Sequence, residues 1–289
     1  MRFTVRVPAT AANLGPGFDC FGLALELCNE LAVDTGAEPG VTWEGEGADE
    51  LPTDGSDMIS RAIRFAQASA ADGLALPPFR LHGINRIPLQ RGLGSSSAAT
   101  VTGIAAAARL LDADGLRDRE TWFDLARRME GHPDNAAAAV FGGFTIASGE
   151  RHRRLDPHPS LRPVLLIPDD VRLSTADARA ALPSSVPFDD AVRQVGATAM
   201  SVVAFTQEPA LLPDALDDRL HQAVRLALVP AARALFQKLR AASVPVCVSG
   251  AGPTLLAFES EGHEVADPGE GWRLIRVAPR RIGVDILEG

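Results

Sequence analysis

Apolar and polar residues alternate at Phe3, Val5 and Val7 and then meet Pro8, the period-two signature of a short half-buried strand ending in a turn. A loop of small residues, Ala9 to Asp19, follows, and Leu23, Leu25, Leu27, Leu31 and Val33 resume strand spacing. Val41 with Trp43, and Phe79, Leu81 and Ile84, predict two further strands. Ile59, Ala62, Ile63, Ala66 and Ala70 recur at helical spacing behind the caps Ser56 and Asp57, which predicts a helix over 57–71. Ser95 to Leu111 is a run of small residues and helix formers that opens straight from a glycine turn. A second helix carries Trp122, Leu125, Ala126 and Met129 and closes at Gly131 and Pro133.

Gly149 to Pro163 holds four arginines, two histidines and three prolines without periodicity, so it reads as a linker, with a domain boundary near 160. The two domains are then 1–160 and 161–289. Beyond the boundary the pattern predicts a strand at Val164 to Ile167, helices at 175–181, 188–206 and 216–240, and strands at 245–249, 254–258 and 273–277. Strands and long helices mix in both halves, an α+β pattern with no fixed-period repeat.

Composition narrows the chemistry. The 289 residues are 46% hydrophobic and 22% charged, the balance of a globular protein with a sizeable core. A net charge of −9 repels phosphate backbones and anionic lipid surfaces, so neither nucleic acid nor a membrane is expected as a partner. Of 28 basic residues only Lys238 is a lysine, and it lies in neither a Walker-type loop nor a kinase strand context. Cys20, Cys28 and Cys247 are too few and too unevenly placed for a disulfide framework or zinc site. No apolar run approaches the roughly 18 residues of a membrane helix, and no leader pattern opens the chain; the expected location is cytoplasmic.

The strongest local signal is Pro88, Leu89, Gln90, Arg91, Gly92, Leu93, Gly94, Ser95, Ser96, Ser97 and Ala98, a glycine and serine turn feeding the long helix. Glycines let backbone N–H groups approach an anion, and a helix N-terminus adds about half a positive charge, so the loop suits phosphate. Serine hydroxyls can donate to phosphate or hold magnesium, which would supply the charge the missing lysine does not. Taken alone, the same run reads equally as a turn with a serine cap.

Three further segments add to it. Gly92 to Ala99 resembles the phosphate loop of the superfamily of galactokinase, homoserine kinase, mevalonate kinase and phosphomevalonate kinase (GHMP kinases). Pro8 to Asp19, Glu130 to Asn135 and Ser249 to Thr254 resemble the other signatures of the homoserine kinase family, in order and at similar spacing over nearly the whole chain. The resemblance implies an α+β, two-domain GHMP kinase fold, with an N-terminal domain like ribosomal protein S5 domain 2 and a C-terminal ferredoxin-like domain. It implies an ATP-dependent kinase for the side-chain hydroxyl of L-homoserine, acting by direct transfer with Mg2+, and a homodimer.

By the same resemblance Pro88 to Ala98 and Thr175 bind ATP, and Ser96 and Glu130 hold magnesium, with Asp124 a competing carboxylate. Asn13, Asp19 and His132 meet the amino acid, Asp19 at its hydroxyl or ammonium, while Arg179 and Arg225 clamp its carboxylate, which suits the planar fork of arginine. Asp19, Glu130 and Asn135 form the catalytic set, with Asp134 structural or orienting. Ser249 to Thr254 would form a cleft wall. The chain departs from the family pattern at Asp57, where asparagine is common, at Ala136 to Ala139, where a proline is usual, and at Gln90. Other readings left open by the residues are a mevalonate or sugar kinase of the same superfamily and a non-catalytic nucleotide-binding relative.

Overall fold

The computed structural model describes residues 1–70, 74–260 and 262–288. The strands are β1 (Arg2–Ala12), β2 (Phe21–Asp34), β3 (Gly40–Gly45), β4 (Arg80–Asn85), β5 (Phe144–Ser148), β6 (Arg151–Leu155), β7 (Arg162–Pro168), β8 (Val246–Val248), β9 (Leu255–Glu259), β10 (Trp272–Arg276) and β11 (Asp285–Glu288). The α-helices are α1 (Met58–Ser69), α2 (Ser95–Leu111), α3 (Arg119–Glu130), α4 (Asp134–Phe141), α5 (Thr175–Ala180), α6 (Phe188–Thr206), α7 (Leu212–Ala215), α8 (Gln222–Leu228) and α9 (Pro230–Ala241).

Among the described residues seven strands form the first sheet in the order β11-β1-β2-β4-β3, with β5 paired to the start of β2 and β6 to β5. The second sheet has the order β10-β7-β9-β8, antiparallel throughout. Here β9 is inserted between β7 and β8, the split arrangement of ferredoxin-like sheets. Helices α5 to α9 fill the first crossover, and Ser260 to Gly271, as far as it is described, carries no helix.

Several expectations change. The first strand does not stop at Pro8: β1 continues to Ala12, and its register against β2 shifts between Pro8 and Ala9. A proline, lacking an N–H, is tolerated at such an irregularity. The helix expected over 57–71 ends at Ser69, and residue 71 lies outside the described residues. The linker expected at Gly149 to Pro163 contains β6, which forms a hairpin with β5, so only the residues after Leu155 lead from one sheet to the other. The helix expected over 216–240 is two helices, α8 and α9, because Pro230 cannot continue the first and Val229 before it leaves the helical conformation. The C-terminal part of 161–289 also returns to the first sheet: β11 pairs with β1 from Phe3 to Arg6.

One apolar core spans both sheets, and a second, including Val164, Leu226 and Leu239, lies between the second sheet and α8 and α9. Phe21 of β2 meets Phe144 edge-on at 5.0 Å, Phe144 stacks on Phe205 of α6 at 5.0 Å, and Phe205 meets Phe258 of β9 at 5.5 Å. Such aromatic pairs add about 0.5–1.5 kcal/mol each beyond simple burial. Alanines on α2 and α4, among them Ala98, Ala105 and Ala136 to Ala139, are fully buried, so both helices lie close against the first sheet. No described helix is long and apolar enough to cross a membrane.

Candidate active site

The glycine-rich loop is pinned from both sheets. Thr10 of β1 donates its backbone N–H to Leu93 O at 3.1 Å, and the Ser249 hydroxyl donates to Gly92 O at 2.7 Å. Two of its residues have no alternative to glycine. Gly92 has φ +73°, and a Cβ there would lie 2.2 Å from Ser249 O; Gly94 has φ +67°, and a Cβ would lie 1.9 Å from the Thr10 hydroxyl. Gly94 thus brings the backbone straight into α2, whose first residues are Ser95, Ser96 and Ser97. None of these serines caps the helix; Gly94 occupies that position in the left-handed conformation.

The hydroxyls of Ser96 and Ser97 turn instead to the end of α3. Ser96 Oγ donates to Glu130 Oε1 at 2.9 Å, Ser97 Oγ to Oε2 at 2.9 Å and Thr100 Oγ1 to Oε1 at 2.7 Å. Glu130 is the last residue of a helix, where the dipole disfavours a carboxylate, and three donors from the start of α2 offset this. Asp124, the competing carboxylate, is paired with Arg127 and Arg128 on the same helix.

A cavity of about 790 Å³ lies over this loop, its wall including Asn13, Asp19, Glu130, His132, Arg179 and Arg225. It therefore brings together the residues expected on acceptor and metal. Pro88 and Ala98 are not in its wall, whereas Leu89 to Ser97 and Thr175, at the first turn of α5, are. Arg91 contributes to the wall, but its guanidinium is spent on the carbonyls of Asp169 and Val171, tying the loop after β7 to the glycine turn. Asp57 caps α1 through Oδ1, accepting from Ser60 N at 2.9 Å, and its buried Oδ2 meets no partner among the described residues.

Asn13 and Asp19 both sit at positive φ, 68° and 53°, in the turn between β1 and β2. Asn13 acts within the turn: its Oδ1 accepts from Asp19 N, and its Nδ2 donates to Gly250 O, each at 2.9 Å. Arg179 donates to both oxygens of Asp19, at 2.9 and 2.8 Å, and this partner raises its already high pKa. The two groups expected at opposite ends of the acceptor are therefore neighbours.

Arg225 is buried, so its guanidinium is held below its ordinary pKa by loss of water; Nη1 donates to Gly250 O at 2.7 Å. His132 Nδ1 lies 3.2 Å from Asp134 Oδ1, and that hydrogen bond raises the imidazole pKa. Asp134 is buried and also accepts from Asn135 N at 2.8 Å. Asn135 Oδ1 accepts from the Thr10 hydroxyl at 2.7 Å. Phe18, which lies within the Pro8 to Asp19 segment but carries no expected role, packs with Asp218 and His221 directly behind the arginines.

Residues 57–143 match the family model of the GHMP kinases N terminal domain. A homoserine kinase of Clavibacter michiganensis is 46% identical over 275 residues, covering 93% of this chain and 84% of that protein. One of Streptomyces avermitilis is 43% identical over 296 residues, covering 98% and 95%. Among solved structures, a homoserine kinase from Cytophaga hutchinsonii superposes with TM-score 0.81 at 22% identity, covering 99% of this chain and 97% of that one. A mevalonate kinase superposes with TM-score 0.70 at 11% identity, covering 96% and 99%, a likeness of fold alone.

Proposed function

This chain belongs to the homoserine kinases of the GHMP kinase family, and from that premise we propose that it transfers the terminal phosphoryl group of ATP directly to the side-chain hydroxyl of L-homoserine, giving O-phospho-L-homoserine. The observation that carries the reading is the single cavity in which the glycine and serine loop, Glu130 and the Asp19 and Arg179 pair face one another. Phosphoryl transfer has a loose transition state and needs alignment and charge neutralisation more than a strong base. Leu93, Gly94 and the α2 N-terminus supply backbone donors for the phosphates. Asp19 and Arg179, with Arg225 behind them, offer one anionic and two cationic groups to a zwitterion that carries an ammonium, a carboxylate and a hydroxyl.

The donor set also suits Mg2+. Ser96 Oγ and Glu130 Oε1 are 2.9 Å apart, close to the roughly 3 Å between adjacent oxygen ligands of an ion bound at about 2.1 Å. Magnesium commonly takes one or two protein oxygens and completes its shell with phosphate and water. When bound it would neutralise phosphate charge, the part a lysine plays elsewhere. Ser96 and Glu130 would hold it, while Ser97 and Thr100 keep the Glu130 carboxylate in place. His132, oriented by Asp134, and Asn13 and Asn135 complete the acceptor side of the cavity.

A homodimer and a cytoplasmic location complete the proposal. The first is supported by Phe188, Val192 and Val195, exposed apolar side chains on one side of α6, and the second by three free cysteines. ADP release in the presence of Mg-ATP and a panel of L-homoserine, L-threonine, L-serine, mevalonate and galactose tests the assignment. Turnover with L-homoserine supports it, and turnover with mevalonate or galactose alone overturns it.

A further inference from the structure

Behind the two arginines lies a buried cluster contributed by the β1–β2 turn and by α8 with the residues before it. Arg225 Nη1 lies 3.1 Å from His221 Nδ1. A guanidinium has donors and no acceptor, so Nδ1 must present its lone pair. On the other side of the ring, His221 Nε2 lies 2.8 Å from Gly15 O, which can only accept, so Nε2 carries the proton. The two contacts fix one neutral tautomer.

The surroundings hold it there. His221 is 1% exposed, and burial, reinforced by the charge of Arg225, keeps its pKa low against the opposing pull of Asp218 at 3.7 Å and of Asp19. Asp218 is itself occupied, accepting from Leu220 N, His221 N, Gln222 N and Gln194 Nε2. The Phe18 ring stacks on His221 at 5.2 Å, and the guanidiniums of Arg225 and Arg179 lie 5.2 and 5.8 Å from its centre. Arg225 Nε meets no acceptor among the described residues. The cation is thus held at one end and left with donor capacity at the other.

We propose that His221 is a positioning residue for acceptor recognition: its Nδ1 lone pair holds the Arg225 guanidinium in the orientation in which it meets the carboxylate of the amino acid. This rests on the reading that Arg225 contacts that carboxylate. Phe18 keeps the ring and the two arginines in register, so the anchor is a neutral imidazole rather than a second charge. A carboxylate of this chain in its place would pair with Arg225 and compete with the acceptor.

Two substitutions separate the ring nitrogens. His221→Asn keeps an acceptor near the Nδ1 position, whereas His221→Gln keeps a donor near Nε2 and loses that acceptor. The Gln variant is expected to raise the KM for L-homoserine by about tenfold, the scale of one hydrogen bond to a charged group, and the Asn variant by less than about threefold. In both, the KM for ATP should stay within about twofold of the parent. Preference for L-homoserine over 3-aminopropan-1-ol, which lacks the carboxylate, is measured alongside, with Arg225→Met as reference. If Arg225→Met keeps that preference, the carboxylate reading itself fails. If Arg225→Met loses it while the Asn and Gln variants show equal acceptor KM values, or shift both substrates alike, the positioning role of His221 is overturned.

Discussion

Arg179 and Asp19 hold each other in a two-pronged ion pair, Nη1 to Oδ2 at 2.9 Å and Nη2 to Oδ1 at 2.8 Å, across 160 residues of chain. Each is the other's counterion until an acceptor enters. A zwitterion offers an ammonium to Asp19 and a carboxylate to Arg179, so binding would exchange one ion pair for two. The side chains are 34% and 45% exposed, and partly exposed pairs of this kind contribute about 0–1 kcal/mol to stability. Arg179→Met is therefore expected to raise the KM for L-homoserine at least tenfold, an interaction on the order of 1.4 kcal/mol or more. Steady-state kinetics with each substrate varied, and a melting curve, check it; an unchanged acceptor KM removes Arg179 from the site.

Glu130 collects three hydroxyl donors from α2, so its substitution separates structure from chemistry. Glu130→Gln retains shape and acceptors for part of this network but loses the charge. The expected result is a kcat at least 100-fold lower, with a raised magnesium requirement and a cost in unfolding free energy of roughly 1–3 kcal/mol. Magnesium dependence identical to the parent would exclude the metal role.

His132 gives a pH signature of stability. Its pKa is raised first by the hydrogen bond to Asp134, so the folded state binds the proton more tightly than the unfolded one. The contribution is fully present below the unfolded value of about 6.5 and is lost as pH rises through the higher folded value. The stability difference between the parent and His132→Gln should then be larger at pH 5.5 than at pH 9. Denaturant titrations across that range check the sign, and a difference that grows with pH contradicts it.

Gly92→Ala tests the coupling between the sheets. The added Cβ would meet the backbone carbonyl of Ser249, which cannot swing away as a side chain could, and φ +73° adds strain of its own. A loss of at least about 2 kcal/mol in stability and of most ATP binding is expected, measured by chemical unfolding and nucleotide titration. Parent-like behaviour in both would show that the loop can be rebuilt.

These contacts also mark where sequence reasoning reached its limit. Ser95 to Leu111 is legible to the residue because helix formers follow directly on a glycine turn. In contrast α4 is a block of alanines buried on every side, with none of the polar contrast that marks an amphipathic helix. Strand β6, Arg-His-Arg-Arg-Leu, pairs only with β5 among the described residues and shows no apolar alternation. Strand β11 gains its meaning from β1 at the far end of the chain. At the site, motif likeness marks Asp19, Ser96, Glu130 and Arg225 individually, yet it gives no hint that Arg179 closes on Asp19. Phe18, Asp218 and His221 are found only once the β1–β2 turn and the start of α8 are seen together.

The most direct test of the central claim is phosphorus NMR of the product formed from Mg-ATP and L-homoserine by the purified protein, with mevalonate and galactose run in parallel. Homoserine kinase activity gives one new phosphomonoester resonance, coupled to the terminal methylene protons of homoserine and growing in step with ADP. A phosphorylated product only from mevalonate or galactose, or ATP unchanged with L-homoserine, would contradict it.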